Sequence, residues 1–549
     1  MAASSRFSPA FAVLPDSRAL TTSTPRPIAA ARTRDARPGH PLQDARRRLK
    51  VAFVTPELHS LVRLTGLAEV SEALPRALRQ AGADVRVFLP WTRDLQDRAL
   101  QDLHTVGEVR VKDGQSRTSA TILTGHIGDL PVVLVDHPQL LRTKSVYSDQ
   151  EGPHQDNWRR FTVFCRAVLE SFPLLSFEPD VVHCLDWTTG ILPVVKELEY
   201  TQKGLDHPAA RAGTYFSVHS TARQGTFERD VLPKMGLPAS VFQHARGVEL
   251  GGKVSFLKAG AEFATLVGTF SPAMSERLLR QASGDRLEDT FKRRAADKDL
   301  FGVLNGIDYK AWDPSNDPLL PQMYSVKDKD LDGKRKCKAS LQSSLKLDNG
   351  PRRMVAAVVG RFDADSGFDI LAEVLTAILE RGVQVVLLGT GRSEIIERVK
   401  TMESTFVGCC RLIEGFNANA LHPLLGAADA MILPSHFNAS NSLCAIGMRY
   451  GVVPVAYANS GLEDTIVDCD GSNRAPTGFL FKGYSGDSLL DGLDAARKAY
   501  KDAEEWKALA LRCMKQDFSW TATAEKYLEI YKKASQRGKK GAKKSAAEG

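Results

Sequence analysis

Cysteine is the first residue type in this 549-residue sequence that could do chemistry, through metal binding, redox exchange or nucleophilic attack. The eight cysteines are widely scattered, none forms a Cys-x-x-Cys pair, and no secretory segment accompanies them. Structural zinc sites and disulfide frameworks depend on close spacings or on an oxidising compartment. We therefore expect no metal, no cofactor and no disulfide framework, and we expect most of the cysteines to be buried thiols.

Arginine and lysine give the chain a formal net charge of +8, which on its own suggests binding to nucleic acid or to an anionic membrane. The positive charge is concentrated at the two ends, however. Residues 1–50 carry +7, residues 532–549 carry +6, and the body between them carries −5. No apolar run approaches the length of about 18 residues that a membrane span needs. We therefore expect neither a nucleic-acid partner nor a membrane span.

The two ends have the composition of segments without a packed core. Residues 1–48 are rich in Ala, Ser, Thr, Pro and Arg and poor in acids, which is typical of an organelle transit peptide. Their Ser, Thr and Pro content favours a plastid over a mitochondrion, and a disordered basic arm is the alternative. Residues 534–549 are cationic and low in complexity, which predicts a disordered tail or, as the alternative, a weak contact with an anionic partner.

Between these ends, strand and helix patterns alternate. Leu49–Pro56 is a short apolar run that predicts a strand, Glu69–Ala81 carries apolar residues on one helical face, and Asp84–Pro90 predicts the next strand. Strand, helix and strand at this spacing form a βαβ unit, which requires a parallel sheet. A second alternating block opens with Met354–Val359, after a polar stretch that is dense in Lys and Asp.

The fold class is therefore α/β, with two Rossmann-like, doubly wound domains that face each other across a cleft. Ligands of such domains bind at the carboxyl ends of the parallel strands, so the cleft is the expected site. The predicted organisation, in chain order, is a transit peptide at 1–48, an N-terminal Rossmann-like domain at 49–312, a linker at 313–350, a C-terminal Rossmann-like domain at 351–485, C-terminal helices at 486–533 and a disordered basic tail at 534–549.

Short motifs follow one another over about 480 residues of the body. They are Leu304–Pro314 (LNGIDYKAWDP), Gly360-Arg361, Glu414–Asn417 (EGFN), Pro434-Ser435, Met448–Gly451 (MRYG), Gly461–Thr465 (GLEDT) and Phe518–Trp520 (FSW). Their order and spacing resemble the starch synthase and bacterial-type glycogen synthase family, of which the chain looks like a divergent member. The resemblance implies a GT-B fold and transfer of glucose from ADP-glucose to the non-reducing end of an α-1,4-glucan, with retention of configuration.

The resemblance places part of the donor diphosphate at a Lys-Thr-Gly-Gly-Leu loop, which here reads Arg63–Leu67 (RLTGL). Arg63 keeps the positive charge and Gly66 keeps one glycine. Thr65 replaces the other glycine and brings a Cβ into a space where glycine lets backbone N–H groups close on the ligand. The alternative interpretation of this loop is a plain connection between a strand and a helix.

Other positions of the N-terminal domain match the family's sugar site. The resemblance assigns His219 a contact with the donor glucose, and a satisfied histidine at a strand end is the alternative. Gln224 is also kept among the donor-binding positions. Asp186 and Trp187 match the start of an Asp-Trp-His motif whose histidine is absent here.

In the C-terminal domain, Arg361 matches an arginine that contacts the diphosphate, and a surface ion pair is its alternative. The matching lysine position is Ser366, which removes a charge-assisted contact. Asn438 replaces the glutamate at the sugar and the anomeric carbon, where an amide can hold a hydroxyl but cannot bring negative charge. Its alternative is a turn residue. Gly461 and Leu462 match the end of a second glycine-rich loop near the sugar and phosphates.

The replaced positions share one property: the resemblance places them at the diphosphate or the anomeric carbon, whereas fold-determining residues are kept. We therefore expect a starch-synthase-like protein of plastid α-1,4-glucan metabolism with weak or no transferase activity and a glucan-binding or assembly role. The alternative is an active starch synthase. An α-glucan and ADP-glucose are the expected partners, the choice between ADP- and UDP-glucose is open, and the sequence indicates no oligomeric state.

Overall fold

The computed structural model describes residues 48–548 except 150, 222, 281–285, 329, 365, 416, 436–440, 459–460 and 472–474. Residues 1–47 of the predicted transit peptide and Asn438 therefore lie outside the described residues. Within them, two hydrophobic cores form, one mainly from residues 51–303 and the other from residues 307–518.

The first core surrounds a nine-stranded sheet of order β14-β13-β9-β8-β1-β2-β5-β4-β3. The strands of this half, including five short ones in two accessory sheets, are β1 (Lys50–Val54), β2 (Asp84–Pro90), β3 (Gln101–Asp113), β4 (Ser116–Ile127), β5 (Leu130–Asp136), β6 (Ser148–Asp149), β7 (Gly152–Pro153), β8 (Val181–Leu185), β9 (Gly213–Val218), β10 (Thr226–Phe227), β11 (Glu249–Leu250), β12 (Lys253–Ser255), β13 (Leu266–Thr269) and β14 (Leu300–Gly302). Its helices are α1 (Leu67–Gln80), α2 (Asn157–Leu174), α3 (Leu192–Lys196), α4 (Pro208–Arg211), α5 (Val231–Lys234), α6 (Phe256–Phe263), α7 (Pro272–Arg277) and α8 (Glu288–Ala296).

From β14 to β5 the strands pair in parallel, as the apolar runs predict. The sequence analysis did not predict the hairpin of β3 and β4, which continues the sheet with antiparallel strands. The first seven residues of β3 are exposed or half-buried, so this edge strand lacks the apolar run that marked the central strands.

The second core surrounds a fully parallel six-stranded sheet of order β17-β16-β15-β18-β19-β20. Its strands are β15 (Val355–Phe362), β16 (Gln384–Gly391), β17 (Cys410–Glu414), β18 (Ala430–Leu433), β19 (Val453–Tyr457) and β20 (Phe479–Phe481). Its helices are α9 (Asp332–Ser344), α10 (Phe368–Glu380), α11 (Ser393–Thr405), α12 (Ala418–Ala427), α13 (Asn441–Arg449), α14 (Gly486–Tyr500) and α15 (Ala503–Met514).

The last helix, α16 (Trp520–Glu548), returns to the first half, where Tyr527, Tyr531 and Ala534 are part of the first core. We call the elements from β1 to β14 together with α16 the N-lobe, and those from α9 to α15 the C-lobe. The predicted segment of C-terminal helices, 486–533, is therefore divided between the lobes: α14 and α15 belong to the C-lobe, and α16 belongs to the N-lobe.

The chain crosses between the lobes at two adjacent segments. The Ile307 amide donates to the Phe518 carbonyl at 2.8 Å, and the Thr523 hydroxyl donates to the Leu304 carbonyl at 3.0 Å. A Cβ on Gly306 would lie 2.6 Å from the Trp520 nitrogen, so only glycine permits this approach. The chain therefore first crosses between the lobes before residue 312, the residue at which the sequence analysis placed the end of the first domain.

The predicted linker at 313–350 is part of the C-lobe. Its buried residues Tyr324, Cys337 and Leu341 belong to the second core, and α9 packs against α12. The Lys334 ammonium donates to the carbonyls of Leu425 and Tyr450. The polar composition that suggested a linker reflects lysines whose stems are buried and whose charges bind backbone oxygens.

The basic end is helical up to Glu548, in contrast to the disordered tail that we expected from residue 534. Its cations meet carboxylates on the N-lobe: Arg537 pairs with Asp299, and Lys539 pairs with Asp180 at 2.8 Å. Composition alone could not reveal these partners, because both lie more than 200 residues away in the sequence.

Candidate functional site

A cavity of about 1130 Å³ lies between the two lobes, beside the double crossing. It opens at the carboxyl ends of β1, β8, β9 and β15, the position that open α/β sheets use for ligands. Five of the predicted site residues line this interlobe cavity, namely Gly66, Asp186, Trp187, His219 and Arg361.

The other predicted positions that the structure describes are not part of the cavity lining. Arg63 pairs with Glu69 at 2.9 Å, and the Gln224 carbonyl accepts from the Leu257 amide. The Ser366 amide donates to Asp363 in a turn, and Leu462 is fully buried in the second core. Gly461 sits before a short 3-10 turn with φ of 91°, a conformation that favours glycine.

Asp186 follows β8 in a rare backbone conformation, with φ of 60° and ψ of −176°. Its carboxylate accepts a hydrogen bond from the Trp187 amide at 2.9 Å. Burial raises the pKa of Asp186 to about 7, although that hydrogen bond and Arg223 oppose the shift. A strained residue with a carboxyl group that is half-protonated near neutral pH can both donate to and accept from a sugar hydroxyl.

His219 follows β9, and its ring stacks on Phe270 with centroids 6.2 Å apart. Burial lowers the pKa of His219 to about 4, so the imidazole is neutral at physiological pH. Its Nε2 atom is buried and makes no hydrogen bond within the part of the chain that the structure describes. The neutral ring is suited to a hydrogen bond with an uncharged ligand and contributes no positive charge.

Trp187 forms an apolar wall of the cavity. Its indole packs edge-on against Phe161 at 5.2 Å and is tilted against Tyr147 at 6.2 Å. A Cβ on Gly225, which has φ of 56°, would lie 2.2 Å from the Trp187 ring. Only a residue without a Cβ at position 225 leaves room for the indole in this position.

The loop between β1 and α1 is organised around Glu57, a residue that the sequence analysis did not single out. Its side chain is fully buried, and one carboxylate oxygen accepts from the Leu64 and Thr65 amides, each at 2.7 Å. The other oxygen accepts from the Thr65 hydroxyl at 2.9 Å and from the Tyr147 hydroxyl at 2.5 Å. The amides that the resemblance assigned to a diphosphate are thus bonded to the chain's own carboxylate.

The segment at Gly461, which matches the family's second glycine-rich loop, shows the same feature: a backbone amide is bonded to a carboxylate of the chain itself. The Gly461 amide donates to the Glu463 carboxylate at 2.9 Å. Burial raises the pKa of Glu463, although the backbone hydrogen bonds oppose this shift.

Arg361 is the predicted cation that does reach the interlobe cavity. Its side chain is 69% exposed, and its Nε atom lies 3.5 Å from Asp363. At this exposure the ion pair is weak, so the guanidinium can turn towards a ligand at little cost.

Among the described residues of the lining, four carboxyl groups face three guanidinium groups. One of those, on Arg76, is already paired with Glu72 and Asp129. The described lining therefore carries no excess of positive charge, which distinguishes it from a typical polyphosphate site.

Two further lining residues, Trp312 and Asn441, had no predicted role. Trp312 stacks on His422 with centroids 4.1 Å apart, and His422 pairs with Asp317 at 2.8 Å. Asn441 lies at the start of α13, and neither polar atom of its buried carboxamide has a hydrogen-bond partner among the described residues. The tryptophan within LNGIDYKAWDP was the sequence signal for the first; the second had none.

Within the described ranges, no group of three or more His, Cys, Asp or Glu side chains is arranged to hold a metal ion. The eight cysteines are free thiols. In the same ranges, no helix is both long and apolar enough to cross a membrane.

Comparison with known proteins decides the family. Residues 50–293 match the family model described as the starch synthase catalytic domain. Glycogen synthase 2 of Geobacter sulfurreducens is 33% identical over 487 residues, which cover 88% of this chain and 99% of that protein. Glycogen synthase of Anaeromyxobacter sp. is 34% identical over 486 residues, with the same coverage.

The chain belongs to the starch and glycogen synthase family.

A solved structure supports the assignment of the chain to the synthase family. The catalytic domain of starch synthase IV from Arabidopsis thaliana, bound to ADP and acarbose, superimposes with a TM-score of 0.75 at 28% identity. The match covers 89% of this chain and all of that domain. Sucrose-phosphate synthase from Thermosynechococcus elongatus, at 16% identity and a TM-score of 0.52, shares the fold alone. The predicted family and the predicted GT-B fold are confirmed.

Proposed function

We propose that this synthase-family chain binds an α-1,4-glucan in the interlobe cavity and transfers glucose from ADP-glucose weakly or not at all. The observation that carries the proposal is the charge of the described cavity lining, where three guanidinium groups face four carboxyl groups. Cations that outnumber the acids around a site favour a nucleotide diphosphate, whereas a neutral glucan gains nothing from such an excess.

The residues that line the cavity support a sugar ligand. Trp187 and Trp312 present aromatic surfaces, and His219 and Asp186 present hydrogen-bonding groups that are neutral or half-protonated near pH 7. Such a mixture of apolar surface and a few polar groups is typical of sites for uncharged ligands. The solved relative was bound to ADP and acarbose, so it supports a glucan-like ligand and, to the same degree, the nucleotide donor of the second candidate.

An active synthase is the second candidate, and two observations favour it. The relatives that align over nearly their whole length are named glycogen synthases. Arg361, His219 and Asp186, to which the resemblance assigns contacts with the donor or the sugar site, also line the cavity. In this case, Arg361 would bind the donor phosphates while His219 and Asp186 held the glucose.

Transfer of labelled glucose from ADP-glucose to glycogen separates the two candidates. We expect turnover at least tenfold below that of the Geobacter sulfurreducens enzyme, because a lost preorganised charge commonly costs about 10²–10³ in rate. UDP-glucose serves as a parallel donor. Turnover within tenfold of the reference that Arg361→Ala abolishes would establish the active synthase instead.

The proposed place of action is the plastid, where starch is made, and the composition of residues 1–48 supports it. A fluorescent protein fused behind residues 1–48 should enter plastids in plant cells. The same reporter without these residues is the control, and a cytosolic signal from the fusion would contradict the proposal.

A further inference from the structure

We propose that Tyr531 and His183 are positioning residues of the interlobe cavity, which hold Asp186 in its strained backbone conformation through Ser217. The inference rests on the proposed function and deepens it, because it names the side chains behind the cavity wall that keep a sugar-binding residue in place. Tyr531, His183 and Ser217 themselves are not part of the described cavity lining.

A row of aromatic side chains crosses the N-lobe sheet close to the strand ends that meet the cavity. The strand register places Phe53 of β1, His183 of β8 and Tyr215 of β9 side by side, and Tyr527 and Tyr531 of α16 pack against this row. All five side chains are at most 1% exposed. Phe53 and Tyr215 pack edge-on against the His183 ring at 4.5 and 5.0 Å, and Tyr527 stacks on it at 6.0 Å. The imidazole is therefore held from three sides.

The His183 imidazole joins α16 to β9. Its Nδ1 atom lies 2.6 Å from the Tyr531 hydroxyl, and its Nε2 atom lies 2.7 Å from the Ser217 hydroxyl. Burial lowers the pKa of His183, and nearby His219 adds to this shift, so the ring is neutral and has one donor and one acceptor. Since a hydroxyl can play either role, both hydrogen bonds form together in either tautomer.

Ser217 connects this cluster to the cavity. Its carbonyl accepts from the Asp186 amide at 2.9 Å, so its side chain binds His183 while its backbone binds the strained residue. With φ of 60° and ψ of −176°, Asp186 lies in a region that glycine alone adopts readily, and such strain, about 1–3 kcal/mol, persists only where neighbours fix the chain. Ser217 also precedes His219 by two residues on the way into the cavity. The contacts that begin at Tyr531 therefore reach the cavity lining.

The position of Tyr531 is itself fixed, because α16 is anchored on both sides of it. Near the start of the helix, the Thr523 hydroxyl donates to the Leu304 carbonyl of the crossing at 3.0 Å. Further along, Lys539 pairs with Asp180, which directly precedes β8, at 2.8 Å. The helix is therefore a firm support for the histidine.

Hydrogen exchange of the full chain, measured by mass spectrometry, tests the positioning role without a ligand. Tyr531→Phe removes the hydroxyl that contacts His183. Tyr527→Phe, one turn earlier on α16, removes an equally buried hydroxyl and leaves both hydrogen bonds of the imidazole intact, so it is the matched control. We expect peptides with the Asp186 and Trp187 amides to exchange about fivefold faster in Tyr531→Phe than in the parent, and at the parent's rate in Tyr527→Phe.

Titration with maltoheptaose measures the consequence for the ligand. Tyr531→Phe should weaken binding about five- to tenfold, the loss expected when a hydrogen-bonding residue is displaced. In a chain that already carries Asp186→Gly, which lacks the carboxylate and is free of the backbone strain, Tyr531→Phe should have no further effect, because both residues act through one set of contacts. A purely structural role of Tyr531 would weaken binding equally in both backgrounds.

The outcomes separate this inference from the proposed function. Unchanged exchange at Asp186 in a folded Tyr531→Phe variant, or equal acceleration in Tyr527→Phe, would overturn the positioning role. Ser217→Ala removes the hydroxyl on the other side of the imidazole and should accelerate exchange at Asp186 in the same way, so it becomes the test if Tyr531→Phe does not fold. A parent chain that does not bind maltoheptaose would instead refute the proposed function, and the exchange rates would still decide the role of Tyr531.

Discussion

At the residue scale, the cavity combines side chains whose protonation differs from that in water. Asp186 has its pKa raised to about 7 and His219 has its pKa lowered to about 4, in both cases because burial disfavours the charged form. Both shifts move the cavity towards neutrality at physiological pH. This electrostatic character fits an uncharged ligand.

Asp186 should make stability depend on pH. Because its folded pKa lies above the unfolded value of about 3.9, its contribution is full below pH 4 and is lost as pH rises through 7. Asp186→Asn removes this dependence, so the variant should gain about 3–5 kcal/mol over the parent between pH 4 and pH 8. Thermal unfolding at both pH values measures this gain.

Asp206→Asn is the control for that experiment, since the Asp206 side chain is 95% exposed and pairs with Arg211 on α4. A stability difference between Asp186→Asn and the parent that stays constant with pH would show that folding does not shift the pKa of Asp186, and would contradict this account.

The sequence predicted some of the important residues of the site and missed others. Asp186, His219 and Arg361 were predicted from motifs and do line the cavity. Glu57 was not predicted, because its role depends on Tyr147, which is 90 residues away, and on a loop conformation that no short pattern specifies.

At the scale of elements, apolar runs predicted strands well. Asp84–Pro90 agrees with the structure to the residue, since it is a largely buried strand bounded by clear breaks. The end of α16 was mispredicted because its stability comes from distant partners. At Gly538 the helix contacts the start of β9, where an added Cβ would lie 2.4 Å from the Gly213 nitrogen.

This contact gives a test of how the basic end is held. Gly538→Leu should lower the free energy of unfolding by about 1–3 kcal/mol, because the side chain would push α16 away from the sheet. Gly541→Leu lies three residues further along the same helix and has no atom within 4 Å of its added Cβ, so it should be close to neutral.

Chemical denaturation of the two variants and the parent gives the comparison. Equal effects of Gly538→Leu and Gly541→Leu would mean that α16 is not packed on the N-lobe at this point.

At the scale of the whole molecule, a hydrogen bond joins the C-lobe directly to the N-lobe. The Asp464 carboxylate accepts from the Ala273 amide of α7 at 2.6 Å, and Ser271 adds a side-chain hydrogen bond. Burial raises the pKa of Asp464, while these hydrogen bonds oppose the shift. The contact lies far from the double crossing in the sequence and ties the second glycine-rich segment to the opposite lobe.

Removing this contact should open the molecule. Asp464→Ala deletes an ionic hydrogen bond worth about 1.5–3 kcal/mol, enough to raise an open population by tenfold or more. Small-angle X-ray scattering of the ligand-free chain should show a larger radius of gyration for this variant than for the parent. Asp491→Ala, on the exposed face of α14, is the control, and identical scattering of all three proteins would argue against the contact as a restraint.

The two-lobed fold could be predicted because alternating strands and helices specify it locally and because the family motifs recur in order. Three features could not be predicted from the sequence, because each joins residues that are far apart in the chain. They are the packing of α16 on the N-lobe, the hydrogen bonds around Glu57 and the Asp464 contact.

The central claim is that the cavity takes a neutral glucan in preference to a nucleotide diphosphate sugar. Calorimetric titration of the full chain with ADP-glucose, beside the Geobacter sulfurreducens enzyme under the same conditions, tests it most directly. We predict an affinity for ADP-glucose at least tenfold weaker than that of the reference enzyme, together with measurable binding of maltoheptaose. Binding of ADP-glucose as tight as in the reference enzyme would contradict the account.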